Sequence, residues 1–401
     1  MNALLILIIA ALGSALLTGG CEAPARNPAL IDATLKPITP PTQADIRTAI
    51  QRGIAFLIDR QKDDGSWGKM DWRIRNIGPR SLGDFEAFKT ATTSLCIRAM
   101  IEADIQTPQA QAALARAEAW LLAKLPTYRR WDEKALFNTW GHAYAIETLA
   151  VMLRDRPNSD ERRQEIRRLI ADQVRLLSIG QSVYGGWGYY NWRPYLSPPI
   201  NNGTSFLTAT AMLALHAASE AGIDVPESTV QRAMTALRWG RFPNSAFSYN
   251  IRSIPRPEVR SSWPPGAMAR SQAGNLAMHV YGDPIATPEV IKAWMTRLLV
   301  QNTWLSKALK ETSPHSSQYV VAGYYYYYGH YYAARAIVHL PEADRADYRD
   351  HLAKILLSRQ DKDGCWWDFV LFDYHKEYGT AMAVLSLQRC LQPAGADDAG
   401  G

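Results

Sequence analysis

Arg52–Trp67 reads RGIAFLIDRQKDDGSW, and His351–Trp366 reads HLAKILLSRQDKDGCW. Each is an amphipathic helix that ends on Gln, turns on Gly and closes on Trp. Before the first turn the apolar residues Ile46, Ile50, Ile54, Phe56 and Leu57 follow helical spacing, and Gly65 supplies the backbone freedom to turn. Two copies of one helix end, placed near opposite ends of the chain, imply a fold built by repetition.

Working outward, a second helix follows the first turn, Phe85–Glu102, and its middle is small and β-branched: Thr90, Ala91, Thr92, Thr93, Ser94. The same pair, one ordinary amphipathic helix and one with a small-residue face, recurs along the chain. Ala112–Leu125 precedes Asn138–Leu153, Glu165–Ile179 precedes Thr204–Ala221, and Val230–Trp239 precedes Gly266–Val280. Val290–Leu305 then precedes Tyr324–His339, and Tyr348–Ser358 precedes Tyr374–Cys390. The result is six hairpins at intervals of about fifty to sixty residues, and no segment alternates as a strand would. The second helices superpose at Thr90-Ala91, His142-Ala143, Thr208-Ala209, Gln272-Ala273, Tyr332-Ala333 and Thr380-Ala381. Small residues there let helices approach closely, as an inner ring requires. An open solenoid needs polar caps at its ends, whereas the first and last repeats here carry the strongest signature. The expected fold is all-α, a single (α/α)6 toroid of six helical hairpins closed into a ring.

Gln61–Trp67 (QKDDGSW) and Gln360–Trp366 (QDKDGCW) resemble the QxxxGxW repeat of squalene and oxidosqualene cyclases. Ser182–Gly188 (SVYGGWG) reads as a reduced copy that keeps Gly and Trp without the Gln. Thr208–Ala217 (TATAMLALHA) and Tyr378–Gln388 (YGTAMAVLSLQ) are similar to inner helices of the same superfamily, which includes protein prenyltransferase β subunits. The resemblance spans Gln43–Leu391 and implies a toroid in which the Gln amide caps a helix end, stacks on the Trp and ties neighbouring outer helices together. The family's catalytic devices do not carry over. No DxDD acid motif and no CGEQ thioester motif occurs, and the chain has residues for one toroid where those cyclases use two. Asp363, Cys365 and His375 imitate the zinc ligands of a prenyltransferase, a DxC pair with a later His. Yet Cys365 fills the variable slot that holds Ser66 in the first copy, and His375 follows too closely to lie in another repeat. No metal and no cofactor is therefore expected.

Charge and cysteine usage narrow the function classes. The formal charge of +6 over 401 residues is spread among acids, which does not indicate a nucleic-acid partner. Cys21, Cys96, Cys365 and Cys390 show neither zinc-ribbon nor disulfide-framework spacing. Leu4–Leu17 is apolar and runs into TGGC, resembling a bacterial lipoprotein signal with Cys21 as the lipidated residue; the alternative is an uncleaved anchor, since about 20 apolar residues span a bilayer. The expected organisation is a signal or anchor at 1–20, a Pro-rich tether at 21–43, the toroid at 44–392 and a disordered tail at 393–401. The domain would be exported and membrane-anchored on the periplasmic side of a bacterial envelope.

If every hairpin runs outer helix then inner helix, the inner helices all start at one mouth, where their N–H ends favour anionic or acceptor-rich ligands. Asp84, Glu86, Trp140, His142, Asn201, Asn202, Arg270, the run Tyr326–His330, Asp373, His375 and Glu377 stand at those starts. His375, flanked by Asp373 and Glu377, is the first candidate for proton transfer, because a carboxylate neighbour orients an imidazole and raises its pKa. His142 and His330 occupy equivalent places and should meet it there; helix capping is the competing role for each. His315 is expected to be exposed. Trp140, Trp187, Tyr190, Trp192, Tyr326, Tyr327 and Tyr328 are the candidate ligand-binding aromatics, able to stack on sugars, stabilise a cation or line an apolar tunnel. Consecutive residues from Tyr324 to Tyr328 cannot all face one core, so some must face a cavity or solvent. Three functions remain open: a binding module for an isoprenoid, another apolar molecule or a glycan; a cyclase- or prenyltransferase-type enzyme using non-standard acids such as Asp373 and His375; and a polysaccharide lyase or hydrolase. Hydrolysis would need two carboxylates across the mouth, Asp84 or Glu86 against Asp373 or Glu377.

Overall fold

The computed structural model describes residues 34–68, 82–128, 138–189, 199, 203–251, 259–316, 319–370 and 373–391. These belong to one compact unit, Ile31–Gly401. Cys21, Tyr190, Trp192, Asn201 and Asn202, together with the expected signal or anchor and the tail, lie outside the described residues, as does the side chain of Asp84.

Among the described residues twelve long helices follow one another: α1 (Gln43–Arg60), α2 (Leu82–Ala103), α3 (Pro108–Lys124), α4 (Asn138–Asp155), α5 (Asp160–Ile179), α6 (Ser205–Glu220), α7 (Glu227–Gly240), α8 (Pro264–Val280), α9 (Pro288–Val300), α10 (Tyr326–Ala336), α11 (Glu342–Leu357) and α12 (His375–Gln388). Among the described residues no strand forms beyond isolated bridges, and no helix is long and apolar enough to cross a membrane. Hydroxyl caps start several outer helices: Thr42 and Asp45 form a reciprocal box at α1, and Thr107, Ser159 and Thr287 accept from the first-turn N–H groups of α3, α5 and α9.

The even-numbered helices form the inner ring. Each packs on the next, α2 on α4, α4 on α6, α6 on α8, α8 on α10 and α10 on α12, and α12 returns to α2. The alanines aligned in the sequence, Ala91, Ala143, Ala209, Ala273, Ala333 and Ala381, are all buried. Helices α3, α5, α7 and α9 each lean on the inner helix that precedes them in the chain, while α11 sits between the end of α10 and α12. Helix α1 has no such predecessor and leans on α12 instead, with Gly53 set against Val384 and Trp366. The fold is the expected (α/α)6 toroid, closed by the contact of its first and last helices.

The Gln–Gly–Trp turns are the fasteners between outer helices. The Gln61 amide Nε2 donates to Gly65 O (3.0 Å) and to Ala113 O on α3 (2.8 Å), while Arg116 of α3 donates to its Oε1 (2.5 Å). Trp67 Nε1 donates to Leu57 O (2.7 Å), and its backbone N–H reaches Thr93 Oγ1 on α2 (3.1 Å). Gln360 and Trp366 repeat the set on Ala49, Arg52, Leu356 and Thr380, so the last fastener joins α11 to α1 across the ends of the ring. The third copy corrects the sequence reading. Its Gln is present as Gln181, one residue before the segment quoted, and bonds Gly185 O (2.7 Å), Thr229 O (2.8 Å) and Arg232. A fourth, altered copy holds Arg241, Ser245 and Phe247 in the same places, with Phe247 N–H on Ser271 Oγ (3.0 Å). Glycine suits the turn at Gly65 and Gly364, where φ is +89° and the next outer helix's backbone lies against it, while Ser245 takes the left-handed conformation in the altered copy at φ +64°.

Candidate functional site: an aromatic cavity at one mouth of the ring

Outer helices end, and inner helices begin, at the same face of the ring, and there the inner helices surround a cavity of about 350 Å³. Its wall takes Phe88, Ala91, Thr92 and Leu95 from α2, Trp140 and Tyr144 from α4, and Tyr378 and Met382 from α12. Tyr324, Tyr325 and Tyr328 enter from the start of α10, and Tyr189 and Tyr249 from the turns before α6 and α8. Pro314, His315 and Phe369 complete it. Phe206 is buried behind the wall as a hub, its ring 4.9 Å from Tyr325, 5.3 Å from Tyr249, 5.5 Å from Tyr189 and 6.0 Å from Trp140. These spacings and tilts are those of favourable aromatic pairs. Such an interlocked wall holds its shape before any ligand arrives.

The local sequence explains the placement. Two residues beyond the buried clasp aromatics Trp187, Phe247 and Trp366 stand Tyr189, Tyr249 and Asp368, two of which line the cavity while the third lies directly behind it. Asp368 is fully buried; Tyr378 O–H, Phe369 N–H and Tyr327 N–H donate to its carboxylate. Burial outweighs those donors and pushes its pKa up to about 7. Tyr378 stands between this acid and the cavity. Sequence reasoning missed Asp368, Tyr249, Phe88 and Met382; the signal was their register relative to the clasp and to the small-residue positions.

The five-tyrosine run divides as expected for consecutive residues. Tyr324, Tyr325 and Tyr328 face the cavity, with Tyr328 O–H on Phe206 O (3.0 Å) and near Thr210 Oγ1 (3.1 Å). Tyr326 turns away to Asn302 Oδ1 (2.9 Å), and Tyr327 packs beside it. Trp140 lines the cavity, whereas Trp187 is a clasp residue bonded to Leu177 O (2.8 Å).

The three candidate histidines do not meet. His142 Nδ1 lies 2.7 Å from Gln173 Oε1 on α5, and its ring packs on Tyr128. His330 is held between Tyr326 O (2.7 Å) and the Asn302 amide (2.8 Å), with burial pressing its pKa down to about 4. His375 packs edge-on to Trp367 at 5.2 Å, and its Nδ1 has no hydrogen-bond partner. Its pKa falls to about 4 instead of rising, through burial first and then the Lys376 and Arg60 charges. Asp373 and Glu377 serve Arg60, at 3.4 and 2.9 Å, in place of the imidazole. The expected carboxylate pair for hydrolysis is likewise committed elsewhere: Glu86 pairs with Lys124, and neither it nor Asp373 or Glu377 lines the cavity. His315, expected to be exposed, is half-buried in the cavity wall.

Asp361, Asp363 and Cys365 bring one ligand atom each within 4.8 Å of one another, without His375. Lys310 holds Asp361 (2.7 Å), Lys376 holds Asp363 (3.1 Å), and burial raises the Cys365 thiol pKa. Both carboxylates are thus occupied in ion pairs, and the thiol is held protonated.

Below the cavity, the C-terminal halves of the inner helices carry a buried ion network. Arg98 bonds Glu147 (2.9 Å), Glu102 (2.7 Å) and Tyr331 O–H (2.8 Å), Arg335 bonds Glu147 (2.6 Å), and Arg389 bonds Glu102 (2.8 Å). Cations at helix C-termini also meet the negative dipole ends.

No family model and no curated protein matches the chain. Solved structures do. The GH76A α-1,6-mannanase from Salegentibacter sp. HEL1_6 shares 11% identity over 86% of this chain and 98% of its own, with a TM-score of 0.53. D-mannose isomerase shares 12% identity over 88% and 99%, also at 0.53. The type II terpene cyclase MstE from Scytonema shares 14% over 88% and 99%, at 0.49. The likeness is one of fold. At such identities the mannanase and the isomerase support the α/α toroid and leave the chemistry to be argued from the site.

Proposed function

We propose that this toroid binds an apolar molecule of the isoprenoid class in its aromatic cavity, as a squalene-cyclase-like binding protein that has none of the family's catalytic motifs. The observation that carries this is the wall: mostly aromatic and aliphatic side chains surround about 350 Å³, and among the described residues no carboxylate or ammonium group is part of the lining. That volume sits at the lower end of the range for small-molecule sites, roughly 300–1,000 Å³. An apolar chain gains by leaving water for such a wall, at about 25 cal/mol per Å² removed. A glycan would bring many hydroxyls that need partners, and several lining tyrosines already spend theirs within the protein, Tyr328 on Phe206 O and Tyr378 on Asp368. The membrane placement expected from residues 1–20 and Cys21 belongs to this proposal, because a lipid-anchored receptor would sit beside a store of apolar ligand. A mass measurement of the mature N-terminal peptide tests that part: a diacylated Cys21 supports it, and an unmodified internal Cys21 removes it.

The decisive experiment is native mass spectrometry of protein purified without delipidation, followed by titration of the stripped protein with farnesol and geranylgeraniol. A co-purifying apolar mass and saturable binding of either alcohol are expected. No adduct and no binding would defeat the proposal.

A second reading rests on Asp368, buried behind Tyr378 with a pKa near 7 and so able to hold a proton beside the cavity. Turnover of an isoprenoid that is abolished in Asp368→Asn, with ligand still bound, would convert the binding protein into an enzyme.

A further inference from the structure

One corner of the cavity is not apolar. Arg270 on α8 is buried at 2% exposure, and its guanidinium donates only to backbone carbonyls: Phe247 O (3.0 Å), Gly266 O (2.9 Å) and Ser261 O. Among the described residues no carboxylate pairs with it. A buried cation without a counter-ion is costly, and burial accordingly lowers the Arg270 pKa. The charge lies directly behind the wall, its carbon 5.9 Å from the Tyr249 ring and within electrostatic reach of Tyr324, Tyr325 and His315. A second observation falls at the same corner. Tyr325 is 4% exposed and lines the cavity, yet its hydroxyl makes no hydrogen bond of good geometry, although it lies close enough to the Tyr189 and Tyr324 hydroxyls to favour their ionised forms. A donor is thus left idle in the wall, with an unbalanced positive charge behind it.

Resting on the apolar-ligand reading above, we infer that the cavity's ligand is an amphiphile with an anionic oxygen head, a carboxylate or a phosphate ester, seated at the corner formed by Tyr325, Tyr249 and His315 in front of Arg270. The head accepts the Tyr325 hydroxyl proton in a hydrogen bond, which satisfies that buried donor. Arg270 does not touch the ligand; it is a positioning charge that makes the tyrosine hydroxyls better donors and compensates the head across them. The hydrocarbon body then runs toward Leu95, Trp140 and Met382, on the far side of the cavity. His315 at this corner is neutral, its pKa lowered by burial and by the Arg270 charge, so it contributes a ring N–H or lone pair and no charge of its own.

The test compares farnesol, farnesoic acid and farnesyl monophosphate by titration calorimetry on the full protein near pH 8, where both acids are ionised. At least one anionic probe should bind about tenfold or more tightly than farnesol. Whichever of the two wins names the head. In Tyr325→Phe the affinity of the favoured anionic probe should fall until it no longer exceeds that of farnesol for the same variant, and Arg270→Met should do the same. If Arg270→Met fails to fold, Tyr325→Phe decides alone. Equal binding of all three probes would overturn the head-group assignment and leave the apolar reading standing. Binding of none would remove the apolar reading itself. A preference that survives in Tyr325→Phe would place the head elsewhere and also overturn the assignment.

Discussion

Trp67 has no exposed surface, gives its indole N–H to Leu57 O and its backbone N–H to the Thr93 hydroxyl of α2, yet contributes nothing to the cavity wall. Trp67→Ala should therefore cost about 3–5 kcal/mol of stability through the void it leaves, with ligand preference unchanged; chemical denaturation and a binding titration on the same sample check both halves. Asp368 makes a different prediction. Its folded pKa of about 7 lies above the unfolded value of 3.8, so between those values the folded protein binds more protons than the unfolded one. Stability from this group is fully present below about pH 4, falls as pH rises through about 7, and is flat beyond. Asp368→Asn removes that slope. The stability of the native protein relative to Asp368→Asn should decline from about pH 5 to about pH 8, and a difference that is constant or rises would show that Asp368 is ionised throughout. His330 works with the opposite sign: its folded pKa of about 4 lies below the usual 6.5, so its share of stability is lost as pH falls between those values. Residue identity alone reveals neither sign. Asp373 and Glu377 flank His375 in the chain, but Arg60, more than three hundred residues away, claims both carboxylates, and a contact of that range leaves no local mark.

At the scale of the helix and its turn, the repeat was the readable part. Period and small-residue alignment are local properties, so the six inner-helix alanines and the hairpin boundaries could be placed within a few residues. The clasp chemistry was only half legible. Gln181 stands one residue before the SVYGGWG block and so outside it, and the arginines that complete each clasp, Arg52, Arg116 and Arg232, belong to the next outer helix, where nothing near the motif announces them. The fastener between α11 and α1 offers a direct check. Arg52 donates to Gln360 Oε1 (3.1 Å) and to the carbonyls of Asp361 (3.1 Å) and Lys362 (3.0 Å). A double-mutant cycle of Arg52→Ala and Gln360→Ala should show a coupling of about 1 kcal/mol, modest because the arginine is exposed. Additive effects would mean that the two side chains do not act on each other in solution.

For the whole molecule, closure is the property that makes a cavity. An open array would spread its inner helices along a concave face, whereas the contact of α12 with α2 and of α1 with α12 wraps them round one axis. Closure also predicts that heat or denaturant unfolds the toroid in a single transition, with helix content and tryptophan fluorescence coincident; stepwise loss, as repeat arrays show when neighbours uncouple, would argue against a ring in which the ends support each other. Ring architecture hosts many chemistries, so the fold itself was legible and the ligand was not. Which aromatics face inward depends on the rotation of each helix about its own axis, and that is set by packing on both neighbours at once: Tyr325 and Tyr328 turn inward while Tyr326 and Tyr327 turn out. On the proposed function, an apolar ligand sits in the space between these inward side chains. Met382 lines that space, so Met382→Trp should fill it. Native protein and a normally melting Met382→Trp variant, titrated with farnesol, decide whether the ligand sits there: saturable binding lost in the variant is the expected result, and equal binding to both would contradict it.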